Sequence, residues 1–498
     1  MIRISGRIRR ALAAAGALAS LVACGGGGPD LAGSSSTTTT EESTTTRADE
    51  TTTSGPVAAG TIDWSDCGTN VECGTLTVPL DYRAPAAGTI DLSLIRVRAG
   101  DPERRLGSVV TNPGGPGGSG VDFVRGGFRL SGDAGDRFDL VGFDPRGVGE
   151  STAIGCGDTV DAFRMVDPGP DTPAEQADLD AAAKAVADEC GQEDGDLLPH
   201  VGTDDVVRDM DQIRAALGEE KLTYIGFSYG TLLGERYAEA FPEKVRAIVL
   251  DGVVDPAQNF AEVLAEQTAA IDAALNRVFA GCDSGCPVDD AAATYDRVAA
   301  RVEQDPLPTS AGRPLGPSEL ATGAIFVSYD PTAWDFFYNA LDQADNGDGD
   351  GMFTLDQAYE GFGSFTQYAA VECIDSPHPT GSAEFIAFAD QLEAISPRFG
   401  ASVANELLPC AFWPAPPVGH PADIAAHGAP PILVVGNTGD AATPYEQAMK
   451  VAGNLEQGVL LTFEGEGHTS YGKSDCVDGA VSSYLVDLSV PAPDTVCN

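Results

Sequence analysis

Residues 221–230 read KLTYIGFSYG, a short apolar run that ends in Gly226-Phe227-Ser228-Tyr229-Gly230. No other stretch constrains the fold as tightly. In G-x-S-x-G the serine stands on a sharp strand-to-helix turn, and the flanking glycines spare the crossing backbones a Cβ clash. The pentapeptide alone decides little in a chain with 59 Gly among 498 residues. Its context decides more. Leu222 to Ile225 supply the strand, and Leu232, Leu233, Tyr237 and Phe241 recur at helical spacing after it. A helix opening just past Ser228 aims its first amides, and the positive end of its dipole, at an oxyanion formed there. Ser228 is the candidate nucleophile.

The elements around it alternate. TLTVPLDY (75–82) and TIDLSLIRVRA (89–99) have the period of an opening antiparallel hairpin. SVVTNPGGPGGSG (108–120) and DLVGFDPRGVGES (139–151) are apolar strands running into glycine-rich turns. A helix follows, with Thr203 as its expected cap and Val206, Val207, Met210, Ile213 and Leu217 on one face. After the elbow and its helix comes the strand AIVLDGVVDP (247–256). Strands alternating with helices imply a mostly parallel sheet. That rhythm stops from 257 to 427, where the chain reads as helical, Pro-rich and aromatic, and resumes at PPILVVGNTGDAATP (430–444), GVLLTFEGEGHTSYG (458–472) and a closing helix over 476–488. The expected organisation is an α/β core of residues 61–256 and 428–498, interrupted by a helical lid insertion over 257–427.

The N-terminus reads as an export signal. Four Arg in the first ten residues precede an apolar run, and Leu21-Val22-Ala23-Cys24 closes it as in a bacterial lipoprotein signal. Residues 1–23 would be removed and Cys24 lipidated, leaving 24–60 as a tether too rich in Gly, Ser and Thr to form a core. No later run reaches the roughly 18 apolar residues of a membrane span. The expected location is therefore the outer face of the cell membrane, through the lipid on Cys24. Without the signal's four Arg the net charge is −50, which argues against nucleic acid as a partner. Ten Cys remain besides Cys24, an even number in an oxidising compartment. Hundreds of connectivities are possible; proximity favours Cys67–Cys73, Cys156–Cys190, Cys282–Cys286, Cys373–Cys410 and Cys476–Cys497. A metal at Cys282 and Cys286 is the alternative, but no second Cys or His pair stands nearby, so neither metal nor cofactor is expected. Asn346 to Gly351 resemble the start of a calcium loop, yet Asn346 replaces the first Asp and Gln357 the closing Glu, so an acidic turn between helices is the reading adopted.

A nucleophilic serine needs a base, and the base an acid to hold its tautomer. Of five His, His468 alone follows an apolar strand, Val459 to Phe463, at a glycine-flanked turn; His200, His378, His420 and His427 lie in loops or the insertion. Asp440 ends the strand just before it, Pro431 to Gly436, and its turn. The order Ser228, Asp440, His468 is that of the α/β-hydrolase fold. The oxyanion hole would combine the Tyr229 amide with one from the glycine loop after 108–112, for which Gly115 is the choice.

Together NPGGPGGSG, GFDPRGVGES, YIGFSYGT, GNTGDAATP and GEGHTSY resemble the secreted tripeptidyl-aminopeptidase-like serine hydrolases of actinobacteria, relatives of proline iminopeptidases within the α/β-hydrolase superfamily. The resemblance runs from about residue 60 to the C-terminus. It departs from strict proline iminopeptidases at Asn112-Pro113, where those usually have His. It implies an exopeptidase releasing short peptides, expected to be tripeptides, from free N-termini, with a carboxylesterase or lipase using the same triad as the alternative. It also implies a Thr three residues after the acid, matched by Thr443, which would orient Asp440 or its loop. In relatives the substrate's free ammonium is met by acids of the lid. Here VECIDSP offers Glu372 and Asp375, and Glu372 is the choice for that role.

Overall fold

The computed structural model describes residues 60–498. The signal and Cys24 lie outside them. Ten strands form one sheet: β1 (Asp63–Gly68), β2 (Val71–Pro79), β3 (Thr89–Val97), β4 (Gly107–Asn112), β5 (Phe138–Phe143), β6 (Leu222–Phe227), β7 (Val245–Asp251), β8 (Ile432–Gly439), β9 (Gly458–Glu466) and β10 (Val496–Cys497). Their spatial order is β1-β2-β3-β5-β4-β6-β7-β8-β9-β10. The first three strands run antiparallel, and β3 joins β5 antiparallel; from β5 through β10 every pairing is parallel. Parallel strands covered on both faces read as unbroken apolar runs. Accordingly every residue of β4, β5 and β6 is buried, whereas the edge strand β1 is almost wholly exposed.

The exposed β1 and the two-residue β10 give no strand signal in the sequence. Nor does 152–202 show an element there, yet it holds a 22-residue helix, Pro173–Asp194, opened by a Thr172/Glu175 capping box and tied at Cys190 to Cys156. The helix predicted near Thr203 spans Thr203–Ala216, but Thr203 is not its side-chain cap. Instead the carboxylate of Asp375, from the insertion, accepts from the Thr203 amide at 2.8 Å and from its hydroxyl at 2.5 Å.

Between β7 and β8 the chain folds into eight α-helices, from Phe260–Ala280 to Gly400–Asn405. All five disulfides have the proximity pairing, so Cys282 and Cys286 are bonded to each other and not to a metal. A helix begins at Asp350, and Asp350 accepts from the Ser310 amide, so 346–351 is a turn and not an open calcium loop. Among the described residues no helix is long and apolar enough to cross a membrane.

Candidate active site

Ser228 sits between β6 and the helix Tyr229–Ala240 with φ 54° and ψ −128°. A non-glycine residue held there stores roughly 1–3 kcal/mol of strain and persists only where its surroundings over-determine it. Here they do. The Ser228 amide donates to Asp251 O at 3.0 Å, and the Ser228 carbonyl accepts from the amide and hydroxyl of Thr231. A Cβ on Gly226 would collide with Gly230 O, and one on Gly230 would lie 2.7 Å from Asn112 O. Both motif glycines are thus required by close backbone crossings.

The structure brings Asp440, His468 and Thr443 together at the ends of β8 and β9. His468 Nδ1 lies 2.5 Å from Asp440 Oδ2, and both side chains are fully buried. Asp440 Oδ1 accepts from the amides of Ala442 (2.9 Å) and Thr443 (2.8 Å), and Oδ2 accepts from Thr469 N (3.2 Å). Thr443 Oγ1 stands 3.2 Å from His468 Nδ1, so Thr443 touches both acid and imidazole. The His468 amide donates to Tyr329 O of the insertion at 3.0 Å. Burial holds the imidazole below its ordinary value, and the Asp440 carboxylate opposes that shift. Among the described residues His468 Nε2 has no hydrogen-bond partner; the structure does not join it to Ser228 Oγ. It is the ring atom left free to take a proton.

The glycine loop rests against the elbow. A Cβ on Gly114 would lie 2.8 Å from Ser228 Cβ and 3.1 Å from Tyr229 N. The Gly114 amide is spent on Asn112 Oδ1 at 2.9 Å, whereas the Gly115 amide makes no hydrogen bond among the described residues. Gly115 therefore offers the loop's free donor beside Tyr229, whose amide opens the following helix.

Glu372 and Asp375 lie on the helix Phe365–Asp375, and both line a cavity of about 220 Å³ together with Thr203, Tyr229, Arg236 and Phe260. Ser228 is not in its wall, but the adjacent Tyr229 is. The two acids differ in their partners. Asp375 is bound to Thr203, whose hydroxyl also meets the Tyr229 hydroxyl at 2.6 Å, and burial pushes its carboxyl up to about 6. Glu372, 4% exposed, makes no hydrogen bond among the described residues. Burial first, then the like charges of Asp375 and Glu406, push its carboxyl well above the ordinary carboxylate range. Asp251, which the sequence reading leaves inside the strand 247–256, is a buried carboxylate beside the His468 loop.

The family models agree with this geometry: residues 107–285 match the alpha/beta hydrolase fold, and residues 396–497 match the TAP-like protein family. Serine protease Hip1 of Mycobacterium tuberculosis is 36% identical over 475 residues, covering 88% of this chain and 91% of that one. The chain belongs to the α/β-hydrolase family. It is a serine hydrolase. Carboxylesterase B of M. tuberculosis is 35% identical over 486 residues, with 89% of this chain and 91% of the relative covered. Tripeptidyl aminopeptidase of Streptomyces lividans is 32% identical over 468 residues, with 88% and 86% covered. This α/β-hydrolase is thus similar along most of its length to proteins named as peptidases and to one named as an esterase.

Proposed function

We propose that this α/β-hydrolase is an exported serine exopeptidase that releases short peptides, tripeptides in the first instance, from the free N-termini of peptides. Ser228 Oγ attacks the scissile carbonyl while His468 Nε2 takes its proton, and Asp440 holds the imidazole in the tautomer with Nδ1–H and stabilises the imidazolium. The amides of Tyr229 and Gly115 receive the oxyanion. His468 then returns the proton to the leaving amine, and water repeats the sequence on the acyl-enzyme. Thr443 keeps the acid and base in register. The insertion acts as a lid that admits slender chains. A lipid on Cys24 and the 25–60 tether would hold the enzyme at the outer face of the cell membrane.

One observation carries the exopeptidase reading. Glu372 is a buried carboxyl without a partner, facing a cavity that adjoins the nucleophile's neighbour Tyr229. A buried acid of that kind is costly unless a cation completes it. The α-ammonium of a substrate is such a cation. The relatives named tripeptidyl aminopeptidase and serine protease support the same substrate class. The second reading, an esterase, draws on the relative named carboxylesterase B and on the apolar walls Leu232, Val254, Phe260 and Val263.

Glu372→Gln separates them. The exopeptidase reading expects the Michaelis constant for free-amine peptide amides to rise at least tenfold, with little change for p-nitrophenyl esters or N-blocked peptides. Equal effects on all three would remove Glu372 from substrate recognition.

A further inference from the structure

Asp251 and Gly252 stand at the end of β7, between the strand that carries Ser228 and the strand that leads to Asp440. Neither has a role in the steps above. Asp251 is completely buried, and its carboxylate is spent on backbone amides of the loop after His468. Oδ1 and Oδ2 each accept from Ser470 N at 3.0 Å, and Oδ2 also accepts from Tyr471 N at 2.7 Å. The carbonyl of the same residue accepts the Ser228 amide at 3.0 Å. Gly252 continues the pattern. Its amide donates to Val435 O of β8 at 3.2 Å, and with φ +70° a Cβ there would lie 2.6 Å from His468 Cε1 and 3.1 Å from Nδ1. Two consecutive residues therefore touch the nucleophile's backbone, the imidazole and the strand of the acid.

We propose that Asp251 is a positioning residue of this hydrolase, whose carboxylate fixes the His468 loop against the backbone of Ser228. The inference rests on the serine mechanism proposed above. Its physical basis is the loop's own strain. Thr469, between His468 and Ser470, has φ 60°, a conformation a β-branched residue holds only under constraint. Charge-assisted bonds from a carboxylate to amides are about twice as strong as neutral ones, which supplies that constraint. Burial pushes the carboxyl up to about 6, and the Tyr471 and Ser470 amides it accepts from oppose that shift. A neutral side chain at 251 would leave Thr469 free to relax and His468 Nε2 free to drift from Ser228. An error of about 1 Å in such a site can cost 10²-fold in rate.

The test compares Asp251→Asn, Asp209→Asn and Ser228→Ala in the full chain, with kcat and KM for a tripeptidyl amide and a thermal melt for each. Asp209 pairs with the buried Arg146 and serves as the control for lost stability alone. The expected result is kcat at least tenfold lower in Asp251→Asn with KM within about twofold, while Asp209→Asn melts earlier yet keeps kcat within twofold. Asp251→Asn with kcat within twofold of the parent overturns the proposal, as does an equal kcat loss in Asp209→Asn. Activity that survives Ser228→Ala overturns the serine reading itself, which keeps the two failures distinct. Should Asp251→Asn not fold, Asp251→Ser carries the test, since its short hydroxyl cannot hold the Ser470 and Tyr471 amides together, and an unchanged kcat there likewise overturns the proposal.

Discussion

Asp440 Oδ2 lies 2.5 Å from His468 Nδ1, and neither side chain reaches solvent. This pair, closed off and braced by three amides on the carboxylate, sets the tautomer that leaves Nε2 free. Asp440→Asn keeps the shape but offers an N–H where an acceptor is needed. We expect kcat to fall by about 10³–10⁴-fold with KM nearly unchanged, checked by steady-state kinetics on a tripeptidyl amide. A loss below tenfold would mean another group orients the imidazole.

The acid limb of the pH profile follows from the burial of His468. A base must be neutral to accept a proton, and burial disfavours the imidazolium, so the folded state holds it below its ordinary value of 6.5. The limb of kcat/KM should therefore have its midpoint below 6.5, and activity should persist into mildly acidic buffer. The same shift costs stability in acid. Its contribution is present above the unfolded value and lost as pH falls below it, because only the unfolded chain gains the proton readily.

Glu235 predicts a stabilising substitution. It lies inside the helix that follows Ser228, fully buried, and neither carboxyl oxygen has a hydrogen-bond partner among the described residues. Burial and then the charge of Asp255 push its carboxyl well above the usual range, with Arg236 opposing. A raised folded value means stability that is present below the unfolded pKa and lost as pH rises. Glu235→Met, of similar volume, should raise stability by about 1–3 kcal/mol near pH 8 and by much less near pH 4. Thermal melts at the two pH values check the direction.

The Cys373–Cys410 disulfide anchors the helix that carries Glu372 to the 3₁₀ turn Leu408–Phe412. Replacing both cysteines by Ser should cost about 2–4 kcal/mol. It should also raise KM for free-amine peptides more than for p-nitrophenyl esters, because the acid loses its brace while the triad keeps its own. Melts and paired kinetics read the two effects separately.

What was legible in the chain follows from how each element announces itself. The strands that carry Ser228 and Asp440 are short apolar runs, buried on both faces as parallel strands usually are, while the partly buried strand before His468 still shows as Val459 to Phe463 running into a glycine-rich turn. Disulfides between near neighbours were equally readable. The helix Pro173–Asp194 was not: its alanines and acids make almost no apolar stripe, and the Thr172-Pro173 start with Glu175 was its single signal. Asp251 reads as one more residue of the strand 247–256. Its partners are amides 219 and 220 residues away, which no local pattern reveals. Thr203 stands where the sequence expects a helix cap, yet a carboxylate from the insertion claims its amide and hydroxyl. Glu372 is one of 75 acids, and only burial without a partner sets it apart.

The most direct measurement offers the enzyme one decapeptide with a free N-terminus and the same peptide acetylated, and follows the products by mass spectrometry. Recognition of the ammonium by Glu372 predicts that N-terminal tripeptides leave the free form in sequence while the acetylated form stays intact. Equal cleavage of both, or cuts confined to internal bonds, would contradict the exopeptidase account.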